Sequence, residues 1–392
     1  MDSSVFAKML SDPGRLDLKK MGYKYGQENL QEFLALHKQY FYQELPLHDF
    51  DGNSMVCRLD KAVQIPLSAA RVLLTPQQSA RLYGTRAMEE EILSTFRIEQ
   101  TDTSRESVRR ILSGQAPEND EEHRICGMKQ GLEFIADRSH AITEENLFRL
   151  YQMTIGDFLP EEDRLLPGHW YRHDGVTVID GKTEHTGLPW QKLPAYMKEL
   201  TAFAAEKAAQ NDLIKAAILH FGLAYLNPYF DGNGRMARLL HLWYLVQQGY
   251  SSALFVPMSR FVEESCARYY KAYTRVEQNQ QISGVLDVTP FLVYFAESVY
   301  YRLGEDQPEP RTLQVFEEAL RQGKVTEKER ALWQFVLTAY GSEEFSTKRL
   351  EKDFGDAAYA TIRSFVLKFE RLGLLTSVHY GNRVKYRIQD RK

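Results

Sequence analysis

One stretch limits what this chain can become: Ile218–Leu240, ILHFGLAYLNPYFDGNGRMARLL. An apolar run carrying His220, Phe221, Leu223 and Leu226 at helical spacing stops at Asn227-Pro228, crosses Asp231-Gly232-Asn233-Gly234, and resumes a helical pattern at Arg235. That order reads as a helix, a tight polar loop and a second helix. Gly232 and Gly234 flank Asn233 and let the backbone turn its N–H groups to one side, while the second helix points its positive end into the same space. Arg235 and Arg238, three apart, can both rise from the first turn toward an anion placed there. Asp231 accepts hydrogen bonds only when ionised, which suits the divalent cation that accompanies a polyphosphate. The combination points to a nucleotide phosphate site. A lone Asp-Gly-Asn-Gly is more often a surface turn, but two arginines in register between apolar helices favour the cradle. An EF-hand calcium loop is excluded, because Arg235 stands where an acidic residue or Asn is required and Met236 where Gly is required.

NPYFDGNGRMAR, from Asn227 to Arg238, resembles the signature of Fic-domain proteins, HPFxDGNGRxxR. Pro228, Asp231, Gly232, Asn233, Gly234, Arg235 and Arg238 match in place; the aromatic is Tyr229, and the leading His is Asn227. The resemblance implies a mainly α fold, a Fic-type helical core with a small β-hairpin flap. It implies ATP and Mg2+ as the bound species, and transfer of AMP from ATP to a Ser, Thr or Tyr hydroxyl of a target protein. In that family the missing His is the general base. Asparagine does not titrate usefully, and loss of a general base alone costs roughly 10² to 10⁴ in rate. Nucleotide binding, resting on the loop amides, Arg235, Arg238 and Asp231, is expected to survive. Three readings stay open: a slow transferase, a nucleotide-binding regulator without transfer, and altered chemistry on another phosphorylated donor.

At 392 residues with 43% hydrophobic content the chain can fill two or three buried cores. A net charge of -4 argues against a nucleic-acid sponge and against an acidic tail. Cys57, Cys126 and Cys266 lack metal-ligand spacing and an even count, which makes a reduced cytoplasm the expected home. No apolar run approaches the roughly 18 residues needed to span a bilayer, and Met1–Leu18 does not read as a signal peptide.

In chain order, residues 1–83 form an aromatic, mixed N-terminal segment with helical spacing over Asn29–Glu44, a short helix between Ile65-Pro66 and Thr75-Pro76, and a turn at Asp51-Gly52-Asn53. Residues 84–304 are assigned to the Fic core, beginning with helices over Glu89–Glu99 and Ser104–Leu112. Thr95-Phe96-Arg97-Ile98-Glu99-Gln100 resembles the family's inhibitory motif [ST]xxxE[GN], with Gln100 in place of Gly or Asn. The resemblance implies that Glu99 pairs with Arg238 and blocks the γ-phosphate; whether within one chain or between chains stays open. Two amphipathic helices follow between Cys126 and Leu159, the second opened by Thr143 as a cap. His169–Pro189 is the clearest strand-rich segment, a hairpin around Asp180-Gly181. Its place resembles the Fic flap, which implies that Val176, Thr177, Val178 and Ile179 pair with an extended segment of an unknown protein target by β-augmentation. His169, His173 and His185 read as solvated loop residues. Helix Leu193–Ala209 precedes the signature, and His220, two turns before Asn227, reads as a core residue, since that rise is roughly 10 Å. A helix over Met258–Gln278 carries Tyr269 and Tyr270; the resemblance places such aromatics beside the adenine, and core packing is the alternative. Thr289–Leu303 is the last helix of the core.

Residues 305–314, acidic and proline-bearing, read as a linker. Beyond it helices are predicted over Val315–Arg321, Thr326–Tyr340, Thr347–Asp353 and Asp356–Leu372, then strands over Leu374–Tyr380 and Arg383–Ile388, making residues 315–392 a winged helix-turn-helix domain. From Phe345 onward eleven basic residues stand against five acidic ones. That balance suits phosphate contact with DNA, while winged helices also serve as protein-docking or dimer modules, which leaves a homodimer open.

Overall fold

A computed structural model describes residues 2–58, 63, 85–180, 183–206, 211–302, 310–340, 344–381 and 383–389. The expected short helix between Pro66 and Pro76 and the first half of the expected linker, 305–309, lie outside them; its second half, 310–314, is helical and opens the helix Pro310–Arg321. In chain order the helices up to the signature loop are α1 (Ser3–Ser11), α2 (Leu18–Tyr25), α3 (Gln27–Tyr40), α4 (Thr85–Ile98), α5 (Arg105–Leu112), α6 (Asp120–Ala136), α7 (Glu144–Thr154), α8 (Leu193–Ala205) and α9 (Asp212–Leu226). After it come α10 (Asn233–Gln247), α11 (Met258–Glu264), α12 (Cys266–Ser283), α13 (Thr289–Phe295), α14 (Pro310–Arg321), α15 (Glu327–Ala339), α16 (Thr347–Phe354) and α17 (Tyr359–Arg371). Among the described residues three two-stranded antiparallel hairpins accompany them: β1 (Gln43–His48) with β2 (Ser54–Cys57), β3 (Thr177–Asp180) with β4 (Thr183–Thr186), and β5 (Leu375–Tyr380) with β6 (Arg383–Ile388). The fold is mainly α, as expected. No described helix is long and apolar enough to cross a membrane.

The chain divides into two compact units, each discontinuous in sequence: 1–65, 141–244 and 262–299 form the first, and 66–140, 245–261 and 300–392 the second. In the first unit α9 is apolar on every face and almost wholly buried, so it must be a central helix. His220 and Phe221 on α9 pack with Tyr269 and Tyr273 of α12 and with Phe291 and Phe295 of α13 as one aromatic cluster. A smaller core of Met9, Met21, Leu30 and Phe33 joins α1–α3, and Asn279 of α12 ties it down by accepting from Leu18 N–H at 3.1 Å and donating to Leu16 O at 2.9 Å. The turn at Asp51-Gly52-Asn53 closes the β1–β2 hairpin: Gly52 has φ 86° and the Asp49 carboxylate accepts from both Asp51 and Asn53 N–H. The helix expected over 29–44 therefore stops at Tyr40 and gives way to β1, and the helix expected over 258–278 breaks between α11 and α12 at Ser265.

In the second unit α4 buries Ile92, Leu93 and Phe96 and ends in a Schellman cap. Gln100 N–H donates to Arg97 O at 3.0 Å and Thr101 N–H to Phe96 O at 2.9 Å, with Gln100 in the left-handed region at φ 55°. Glu99, half-buried, is the last residue before that turn. The C-terminal helices and hairpin follow the expected order: a capping box between Thr326 and Glu329 opens α15, and Trp333 packs 5.3 Å from Phe369 of α17. The β5–β6 hairpin is in register from Leu375 opposite Ile388 to Tyr380 opposite Arg383.

Candidate functional site

The site is assembled within the first unit where α9 stops. Asn227 ends the helix at φ 48°, ψ 62°, its N–H still donating to Leu223 O at 3.2 Å. This is the left-handed cap conformation, in which Asn, Asp and His are the enriched residues after Gly. Pro228 then prevents the helix from continuing. Gly232, at φ 78°, is required twice over, because a Cβ there would also lie 2.6 Å from Ile155 Cδ1. Asn233 holds the loop closed with its side chain, accepting from Tyr229 N–H at 2.9 Å and donating to Tyr229 O at 2.8 Å. Its expected contribution to nucleotide contact therefore falls to its main-chain N–H. Behind the loop Tyr229 is fully buried and stacks on Tyr151 with ring centroids 3.8 Å apart.

The N–H groups of Asn233, Gly234 and Arg235 open α10, and no main-chain acceptor takes them among the described residues, as at any helix start. Arg235 is buried and donates through one terminal nitrogen to Asp231 at 3.0 Å, while its Nε is buried without an acceptor. Arg238 is buried as well, one turn on. Asp231 remains about half exposed, and its other oxygen accepts from Gly232 N–H at 2.6 Å. Loop amides, two buried guanidinium groups and one accessible carboxylate are thus brought together.

Arg172 is the residue that sequence reasoning missed. It is buried, and its guanidinium donates to three main-chain carbonyls: Nε to Asn227 O at 2.7 Å, one terminal nitrogen to Asp174 O at 2.6 Å, and the other to Leu188 O. Its own N–H donates to Pro228 O at 2.9 Å. Burial lowers the guanidinium pKa, partly opposed by nearby Asp174. One side chain therefore ties residue 227 to the entry and the exit of the β3–β4 hairpin. Gly187 leaves the room for this, since a Cβ there would lie 2.7 Å from the Arg172 terminal nitrogen and 3.2 Å from Asn227 Cβ. Within the hairpin Thr177 faces Thr186, Val178 faces His185 and Ile179 faces Glu184; Val176 O accepts from Gly187 N–H at 3.0 Å just outside it. No local signal marked Arg172, because its partners are carbonyls far apart in sequence.

Other expectations are placed as follows. Tyr269 is only 2% exposed, within the aromatic cluster, and its hydroxyl is 2.8 Å from His220 Nε2 and 3.2 Å from Tyr273 OH. This is the core packing weighed as the alternative for Tyr269, and Tyr270 is the half-buried member of the pair. His220 is fully buried, and burial, His241 and Arg238 hold its pKa well below the usual value, so it is a neutral core residue. His173 is half-buried, its ring centroid 5.0 Å from that of Phe230 in a T-shaped contact, which is not the solvated loop position expected. Glu99 belongs to the second unit and Arg238 to the first.

Residues 141–245 match the family model for the Fic/DOC family. The chain carries a Fic domain. It is 22% identical over 299 residues to protein adenylyltransferase Fic of Drosophila ananassae, covering 70% of this chain and 56% of that protein. The protein of the same name from Nematostella vectensis is 24% identical over 205 residues, 48% of this chain and 43% of its own length. The chain spans about half the length of the curated relatives it matches. A crystal structure of a Fic family protein from Desulfovibrio desulfuricans G20 superposes with a TM-score of 0.51 at 18% identity, covering 85% of this chain and 98% of that one, which shows the shared fold. The Fic match contains α7, the β3–β4 hairpin, Arg172 and the whole loop from Asn227 to Arg238.

Proposed function

We propose that the Fic domain binds the polyphosphate of ATP with Mg2+ and transfers AMP to a hydroxyl of a target protein only slowly, because Asn227 stands at the base position. The observation that carries the binding half is the buried Arg235 Nε, a donor without an acceptor beside the open N–H groups of α10. A phosphate oxygen would satisfy them together. Among the described residues no group of three or more His, Cys, Asp or Glu could hold a metal alone. Mg2+ asks less than that, since one carboxylate, here Asp231, with substrate phosphates and water completes its shell. When bound, the ion would neutralise charge on those phosphates.

Transfer forms a bond from the acceptor hydroxyl oxygen to the α-phosphorus, breaks the bond to the bridging oxygen, and releases pyrophosphate; the hydroxyl proton must go to a base. The Asn227 amide cannot take it. An extended target segment would add to the β3–β4 hairpin through the main chain of Val176, Thr177, Val178 and Ile179, and Arg172 would fix that strand relative to residue 227. Glu99, in this reading, gates the site by pairing with Arg238.

Calorimetry with ATP and Mg2+ and intact-mass measurement test both halves. Wild type is expected to bind, Glu99→Gly to bind more tightly, and an AMP adduct to accumulate only when Asn227→His is added. Absence of binding by wild type and by Glu99→Gly overturns the phosphate site. Efficient labelling by Glu99→Gly alone overturns the impairment.

A further inference from the structure

The C-terminal part of the second unit shows how its charges are used. Asp353 accepts from the Tyr340 hydroxyl at 2.9 Å and pairs with Arg349 at 3.5 Å. Glu370 accepts from Ser377 N–H at 3.2 Å, and Glu329 holds Lys368 at 2.7 Å. Glu344 takes the Tyr380 hydroxyl at 3.0 Å and Lys385 at 3.6 Å. These acids serve bonds inside the module. By contrast Lys348, Lys352, Arg363, Arg371, Arg383 and Arg387 are all exposed, and none has an ion-pair partner among the described residues.

Placement matters as much as number. α17 buries Ile362, Phe365, Val366 and Phe369, which turns Tyr359, Arg363, Leu367 and Arg371, spaced four apart, to the outside. On β6 the exposed Arg383, Lys385 and Arg387 alternate with Val384 and the buried Tyr386 and Ile388, so one face of the hairpin is a basic ridge. Thirteen residues make α17 roughly 20 Å long. A helix of this kind fits the major groove of B-form DNA, about 12 Å wide, whereas the major groove of an RNA duplex is too narrow for it.

We propose that α17 and the β5–β6 hairpin form a surface for double-stranded DNA, in which Arg363 and Arg371 on the helix and Arg383 and Arg387 on the hairpin contact backbone phosphates. The inference does not depend on the Fic domain binding nucleotide or transferring AMP. Phosphate contact is sequence-independent, so a random duplex is the proper probe. Fluorescence anisotropy of the full chain with a labelled 30-base-pair random duplex should show binding at 50 mM KCl that weakens steeply toward 300 mM. In Arg363→Gln/Arg371→Gln/Arg383→Gln/Arg387→Gln, affinity at 50 mM KCl should fall more than tenfold, and the slope of log K against log salt should shrink by about 3 to 4, near 0.9 per lost phosphate contact. If the fourfold variant does not fold, the helix pair and the hairpin pair made separately should each reduce the slope by about 2. No binding by wild type at 50 mM KCl overturns the proposal, as does an unchanged slope in the variants. Equal affinity for an RNA duplex of the same sequence overturns the placement of α17 in a groove.

Discussion

Gln100 supplies the sharpest test of the local reasoning. It occupies the position that the Fic inhibitory motif gives to Gly or Asn, and the structure shows what that position demands: φ 55° in the turn that closes α4. For an L-residue the left-handed region costs roughly 1 to 2 kcal/mol. Glycine removes that strain and returns about 0.5 to 1 kcal/mol to the unfolded chain as added freedom. The net gain from Gln100→Gly is then about 0.5 to 1 kcal/mol, and at 1.4 kcal/mol per factor of ten the helix end should open roughly 2- to 5-fold less often. Hydrogen exchange at the amides of residues 100 and 101, bonded to Arg97 O and Phe96 O, reads this directly. Asn at 100 should fall between Gln and Gly, and Val, β-branched, should exchange faster than Gln. On the gating proposal the firmer cap also holds Glu99 more firmly, so ATP affinity should drop in Gln100→Gly, opposite in sign to Glu99→Gly. Faster exchange in the glycine variant would refute the cap as described.

Gly187→Ala should loosen the hairpin, because its Cβ would meet the Arg172 terminal nitrogen at 2.7 Å and Val176 Cγ1 at 2.9 Å; overpacking of this kind costs about 1 to 3 kcal/mol. Amide exchange over β3 and β4 should rise by at least about fivefold, while amides of α9 keep their protection. His241 is buried and neutral, its pKa pushed down to about 3 by burial from the usual 6.5. Between those values the unfolded chain holds more protons, so the stability it contributes is complete above pH 6.5 and is lost as pH falls, by up to about 1.4 kcal/mol per pH unit. Urea unfolding of His241→Phe from pH 7 to pH 4 should show a flatter decline than wild type; an identical decline would mean that this histidine is not buried neutral.

How much was legible follows from how far apart the cooperating residues lie. The helix, loop and helix around Asn227 could be read because their partners are local: Asn233 bonds Tyr229, and Asp231 pairs with Arg235. The C-terminal helices and hairpin declared themselves through caps and alternation in the same way. Strands β1 and β2 were not foreseen, since Gln43–His48 contains Pro46 and its alternation rests on two residues alone, Leu45 and Leu47, and their edge is completed by Val56 N–H donating to Leu286 O at 3.0 Å, far along the chain. The surroundings of Tyr269 could not be read, because periodicity says that a helix has an aromatic face without saying what that face meets. For Arg172 no pattern existed to read.

The Arg172 clamp has a consequence for how such a domain changes over time. All three acceptors of its guanidinium are backbone carbonyls, at residues 174, 188 and 227. The side chain of residue 227 takes no part in those bonds, so the framework holding hairpin against loop asks of that residue only that it accept the left-handed backbone, φ 48°, and not that it carry a particular chemical group. A reactive side chain there can be exchanged for an inert one, and back again, as a single step that leaves the hairpin and the loop held together.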